Sequence, residues 1–222
     1  MKEIYKDQGL KKPQMQIIKR ILKFIFTTNS AIWFEKDISE KLVEYKTKLP
    51  VEIDLTSINQ SIEWLKRLNL SWVVHPQEIA TALKYNHFWP SVSVNGKIIG
   101  CTKIGFGNVY IVDYNRIMEF PEKMVFIYDT YVLQEERNKG VAKYLISESI
   151  KFLKEKGYTK IKCHIPPWNK VSINVYKKIG FKKVSYIRYF RIFGVPFRIA
   201  STIKENSKIT RSKLLREDMQ DE

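Results

Sequence analysis

The sequence predicts a mixed α/β protein, and three stretches carry that prediction. In "SVSVNGKIIGCTKI" (91–104), Asn95-Gly96 sits between two apolar, alternating runs, the pattern of a tight β-hairpin. "MVFIYDTYV" (124–132) is strand-like and leads through a turn into "VAKYLISESIKFLKEKG". There Ala142, Leu145, Ile146, Ile150 and Leu153 share one helical face and Gly157 ends the helix. "TKIKCHI" (159–165) then resumes strand character, so residues 124–165 form a strand–turn–helix–strand unit expected to cross over right-handed to a parallel partner.

The other elements follow in chain order. "QMQIIKRILKFIF" (14–26) has Ile18, Ile21, Leu22 and Ile25 on one face, as in a helix packed on its own domain. Its lysines and arginine also suit an interfacial helix making peripheral contact with an anionic membrane. "AIWFEKDI" (31–38) reads as a strand. Thr56 or Ser57 caps a helix carrying Ile58, Ile62, Leu65 and Leu68, and Pro76 opens a second short helix. Residues 107–123 form an irregular excursion before the next strand. "KVSINVYKKIG" is a short helix stopped by Gly180, followed by a strand pair in "FKKVSYIRYFRIFGVPFRIASTI" with snorkelling arginines. From Lys204 the tail is charged, expected to be mobile or loosely helical. The predicted division is an N-terminal helix–strand extension (1–50), a main domain (51–203) and the tail (204–222).

Charge is the unusual bulk property: 39 Lys and Arg oppose 23 Asp and Glu, for a formal net charge of +16. Such an excess points to anionic partners, whether a polyphosphate ligand, nucleic acid or ribosome, or a membrane surface. A Lys-rich solvated surface gives the same number without a partner. Two cysteines, Cys101 and Cys163, are too few for a disulfide framework and read as buried thiols. The three histidines (His75, His87 and His164) are scattered, so no metal site is predicted. "MKEIYKDQGL" is not a signal peptide and no apolar run is long enough to span a bilayer, so the expected location is cytoplasmic. No pattern specifies an oligomeric state.

The cations concentrate after one turn. From Arg137 to Lys183 there are 13 Lys and Arg and only two acids, Glu148 and Glu155. In "ERNKGVA" the turn lies at the C-terminal end of a strand and the N-terminal end of a helix, where unpaired amides and a partial positive charge attract phosphates. Gly140 lets backbone approach a ligand, and Arg137 and Lys139 add positive charge.

This segment resembles the pyrophosphate-binding motif of the GNAT acetyltransferases, Q/R-x-x-G-x-G/A, as Arg137-x-x-Gly140-x-Ala142. "NKVSINVYKKIGF" is similar to the same family's later helix, with Asn169, Ser172, Tyr176, Lys178, Gly180 and Phe181 in register. The resemblance covers about residues 51–200. It implies a central mixed, mostly antiparallel sheet with the parallel unit at its core and helices on both faces. Gln134 stands where relatives commonly have proline, and the excursion 107–123 is longer than a plain hairpin needs.

The activity implied is transfer of an acetyl group from acetyl-CoA to a primary amine, releasing CoA. The acceptor would be a small-molecule or carrier-linked amine; basic surroundings favour an anionic or carrier-linked one over a polyamine. The implied cofactor contacts are Val132, Arg137, Asn138, Lys139, Gly140, Val141, Ala142, Asn169, Ser172 and Tyr176. Among these the Val132 amide would face the thioester oxygen, and Tyr176 would protonate the leaving thiolate. A core aromatic with a satisfied hydroxyl is the structural reading of Tyr176. Asp129 is the only acid in its strand, where a carboxylate must be exposed, paired or used. It reads as base or amine anchor, with a structural hydrogen-bonding role, Glu119, Glu122 or a water relay as alternatives. Two other functional classes compete: a nucleic-acid-binding module using Trp64, Trp72 and Trp89 as stacking faces, and a non-catalytic CoA-sensing domain. The aromatic, basic segment 190–199 would border the acceptor site, or form a lipid-facing edge.

Overall fold

The computed structural model describes residues 26–39, 42–68, 74–192, 195–202 and 212–216. The helix expected at 14–26 lies outside these residues, apart from Phe26, which is in a strand. In chain order the elements are β1 (Phe26–Asp37), β2 (Glu52–Asp54), α1 (Ile58–Arg67), α2 (Pro76–Lys84), β3 (Ser91–Val94), β4 (Lys97–Phe106), β5 (Asn108–Ile111), β6 (Arg116–Glu119), β7 (Met124–Val132), α3 (Val141–Glu155), β8 (Lys160–Ile165), α4 (Lys170–Ile179), β9 (Lys182–Ile192), β10 (Val195–Thr202) and β11 (Ser212–Arg216).

Nine strands form one sheet in the order β11-β10-β9-β1-β8-β7-β4-β3-β2. Every neighbouring pair is antiparallel except β7 and β8, the parallel pair foreseen around the crossover helix α3. The β3–β4 hairpin turns on Asn95 and Gly96, both at positive φ, as a two-residue turn that matches strand twist requires. Helix α1 begins at Ser57, but no side chain of its own caps it. Asp54 takes over: its carboxylate accepts from the Thr56 and Ser57 amides, and these bonds hold its pKa low against the opposing effect of burial.

Helices cover both faces. Ile146, Ile150 and Leu153 of α3 and Ile173 and Ile179 of α4 pack with Phe34, Ile104, Ile127, Ile161 and Cys163 on one face. On the other, α1 and α2 bury Ile62, Leu65 and Ala82 against Trp89 and Cys101. The excursion folds as a separate β5–β6 ribbon over Phe126 and Trp33 on that second face.

Three features depart from the pattern read in the sequence. Strand β1 starts earlier than expected and is built into the sheet between β8 and β9, pairing antiparallel with both. In the charged tail, Ser212–Arg216 forms a strand on β10 where a mobile or helical segment was expected. Trp89, considered as a stacking face, is 1% exposed and part of the core, and Trp64 packs against it. Trp72 and the side chains of 190–198 lie outside the described residues, and with them the expected acceptor wall or lipid edge.

Candidate active site

Strands β7 and β8 pair only from Met124 with Lys160 to Ile127 with Cys163, yet β7 runs on to Val132. Where the ladder stops, a cleft of about 850 Å³ opens, bordered by Tyr128–Val132 on one side and His164–Pro166 on the other. Leu133 N–H donates to Ile99 on β4, so strand alternation directs the Val132 amide the other way, into the gap. Alternation also splits the side chains. Thr130 and Val132 point to the α3/α4 face with their partners Thr102 and Gly100, while Asp129 faces the α1/α2 side opposite Lys103.

All the residues named from the sequence as cofactor contacts border this cleft, as do Asp129 and Tyr176. Glu119 and Glu122 lie on the excursion and are exposed. The turn leaves β7 through a short 3-10 segment, Gln134–Glu136; Asn138 and Gly140 then take positive φ. Gly140 has φ 87° at the N-cap of α3, and no side chain caps the helix. A Cβ there would be strained and would lie 3.1 Å from the Lys46 carbonyl, so two constraints demand glycine. The first amides of α3 therefore form an uncapped, cleft-bordering helix N-terminus.

Two cations expected on the ligand also have internal work. Arg137 donates through Nε to the Val132 carbonyl at 3.1 Å and sits 5.8 Å from the Tyr131 ring, bracing the end of β7. Lys139 pairs with Glu136 at 2.8 Å. Asn169 caps α4, accepting from Ser172 N–H at 3.1 Å.

Tyr176 is buried, edge-on to Phe181, with its hydroxyl 3.2 Å from that of Thr130. Thr130 lies 2.7 Å from the Thr102 hydroxyl, which donates to the Asp129 carbonyl. This fixes the direction of the chain: Thr130 donates to Thr102, and Tyr176 donates to Thr130. Burial, chiefly, raises the Tyr176 pKa well above the ordinary phenol, with the Cys163 sulfur adding to the effect, so the group stays protonated. Nothing in the local sequence marks this hydroxyl chain, because threonines in strands are ordinary.

The opposite wall carries acids. Lys103 is 3% exposed, 2.6 Å from Glu78 on α2 and 4.0 Å from Asp129, whose side chain is 35% exposed. Burial is the main cause that raises the Asp129 and Glu78 pKa values, and Lys103 opposes it in both. Asp129 is thus a stronger base than a solvated carboxylate. Next to it, His164 donates from Nε2 to Asp113 of the excursion at 2.7 Å, and Asn29 of β1 holds the second Asp113 oxygen at 3.1 Å. That hydrogen bond from His164 is the first cause of a lowered Asp113 pKa, against burial. The three histidines are scattered along the chain; only folding joins Asn29, Asp113 and His164. Behind this wall a register shift inserts Tyr128, whose hydroxyl donates to Nδ1 of His87 while Nε2 of His87 donates to the Phe106 carbonyl at 3.1 Å.

The family model described as Acetyltransferase (GNAT) family matches residues 58–181, more than half of the chain. The chain belongs to the GNAT acetyltransferase family. The match begins after β1 and the segment 42–50. Among solved structures, the chain is similar to a GCN5-related N-acetyltransferase from Sphaerobacter thermophilus (TM-score 0.55, 7% identity, 83% of this chain and 58% of that one). It is also similar to the GCN5-related glucosamine N-acetyltransferase region of a fungal multi-domain GH3 β-N-acetylglucosaminidase (TM-score 0.53, 15% identity, 82% of this chain and 23% of that one). A third similar structure is a GNAT-family acetyltransferase from Novosphingobium aromaticivorans DSM 12444 (TM-score 0.50, 13% identity, 74% and 65%). At these identities the likeness concerns the fold, and the chain spans only part of each of these proteins.

Proposed function

We propose that the protein is an acetyl-CoA-dependent N-acetyltransferase that delivers the acetyl group directly to a primary amine. The observation that carries this reading is the cleft in which an uncapped helix N-terminus, a strand amide directed into the gap past the end of the β7–β8 ladder, and a buried phenol meet. Acetyl-CoA supplies the thioester and the pyrophosphate when bound. The amides from Asn138 to Ala142 would hold the pyrophosphate, and the Val132 N–H would face the carbonyl oxygen as negative charge develops there. Asp129 takes a proton from the acceptor ammonium; the amine nitrogen then bonds to the acyl carbon as the carbon–sulfur bond breaks. Tyr176 gives its proton to the departing sulfur; the second proton on the new amide nitrogen then leaves and restores the phenol, and Thr130 can turn its hydroxyl towards the phenolate in between.

Burial makes Tyr176 a weaker acid, which by itself would oppose that last transfer. The same environment would strengthen the sulfur as a base: burial raises the thiol of Cys163, which acts on Tyr176, well above its ordinary value. Both partners therefore shift the same way. At the acceptor end Asp129 borders the cleft with its side chain 35% exposed, while Lys103 behind it is paired with Glu78, which favours a cationic amine over the anionic acceptor that overall charge suggested. The test is free-thiol release from acetyl-CoA by the full chain across amino sugars, polyamines, peptides and ribosomes. Amine-dependent thiol release supports the reading; saturable acetyl-CoA binding without release on any amine would replace it with a CoA-sensing role.

A further inference from the structure

The segment 42–50, which lies outside the residues matched by the family, crosses directly over the Gly140 turn. Lys48 N–H donates to the Lys139 carbonyl at 3.0 Å, and the Thr47 hydroxyl donates to the same oxygen at 3.2 Å. The Thr47 hydroxyl oxygen in turn accepts from Leu49 N–H at 3.1 Å. Upstream, the Tyr45 hydroxyl donates to the Lys178 carbonyl, and Lys143 lies over the Tyr45 ring at 5.2 Å. The strap is therefore fastened to the start of α3 and the end of α4, and its lysines are fixed at the rim of the cleft.

Lys46, Lys48 and Lys178 all border the cleft, and none has an ion-pair partner among the described residues. Glu136 on the cleft pairs with Lys139, and Glu44 on the strap with Lys151. The three are exposed and border one cleft, so they raise the positive potential at its rim, which a multivalent anion bound there would meet. The pyrophosphate has its own donors in the turn amides, so these three lysines are surplus to it.

We propose that Lys46 and Lys48, with Lys178, form a second phosphate subsite that takes a phosphomonoester beyond the pyrophosphate. This inference rests on the acetyl-CoA reading above. In CoA that group is the 3′-phosphate of the adenosine, which lies on the far side of the pyrophosphate from the thioester. With the thioester end at Val132 and the pyrophosphate at Gly140, the adenosine end leaves past the strap. The subsite makes the protein selective for CoA over its 3′-dephospho form.

The experiment is calorimetric titration of the full chain with CoA and with 3′-dephospho-CoA at physiological salt. The expected result is that CoA binds about tenfold more tightly, as for a charge-assisted phosphate contact. In Lys46→Gln/Lys48→Gln, the preference should fall to about twofold or less through weaker CoA binding, with 3′-dephospho-CoA unchanged. The strap's bonds to Lys139 come from the Lys48 backbone and Thr47, so the substitutions leave its fastening in place. Equal affinity for both ligands in the unaltered protein would overturn the subsite while leaving the acetyl-CoA reading intact. An equal loss for both ligands in the variant would reduce the lysines to a general field and also overturn it. If neither ligand binds, the acetyl-CoA reading itself fails, and the subsite with it.

Discussion

At the phosphate end of the cleft, the turn that would hold the pyrophosphate is one run of six residues, Arg137–Ala142; at the acceptor wall, every charged group comes from a different element. Glu78 is on α2, Lys103 on β4, Asp113 on the excursion, Asp129 on β7 and His164 on β8, with Asn29 of β1 behind them. The first end uses backbone amides and cations at the surface, where water screens every interaction. The second buries Lys103 with Glu78 and sets the partly exposed Asp129 and Asp113 beside buried partners, so that each group depends on its neighbour. The phosphate end should therefore tolerate loss of a side chain but not of backbone conformation, and the acceptor wall the reverse.

Four substitutions would break or sharpen that contrast. The largest effect belongs to Lys103→Met, which strands Glu78 in the core and should cost about 3–5 kcal/mol in urea denaturation. Adding Glu78→Gln should recover most of it, and acetyl-CoA affinity should hold throughout if the two ends are independent. Next comes acid. Burial, the leading cause, holds the His87 pKa at about 4, below its ordinary 6.5, so between these values the unfolded chain binds a proton the folded chain refuses. Stability should fall as pH drops from about 6.5 to about 4, by at most roughly 3 kcal/mol. His87→Gln should flatten that slope.

Tyr176→Phe should lower turnover by about a hundredfold, within the usual range for a general acid, and leave the acetyl-CoA dissociation constant nearly unchanged. Lost cofactor affinity with normal chemistry would mean that the hydroxyl serves binding. Smallest is Asn169→Ala, which removes the cap of α4 and should cost about 1 kcal/mol, whereas Asn169→Ser should hold stability. An unchanged unfolding midpoint in the alanine variant would free Asn169 from its structural role and return it to the cofactor.

The same contrast explains what could be read in the sequence. The hairpin at Asn95-Gly96, the helix from Val141 to Glu155 and the Gly140 turn are local patterns, so their residues announce them. The GNAT family assignment rests on such contiguous stretches. By contrast, nothing local says that β1 inserts between β8 and β9, because strand pairing across more than 100 residues leaves no periodic mark. Nor does a lone Asp113 show that it will meet His164, or a Lys in a strand that it will be buried against Glu78. The strap over Gly140 was invisible for the same reason: its lysines resemble any others in a Lys-rich chain until the fold sets them on the rim.

The most direct test of the account is calorimetric titration of acetyl-CoA into the full chain and into Gly140→Asp, which adds a strained Cβ and a negative charge where the pyrophosphate would sit. The account predicts saturable one-site binding that the substitution abolishes while the far-UV spectrum and unfolding midpoint show a folded protein. Equal affinity in the two proteins would contradict it.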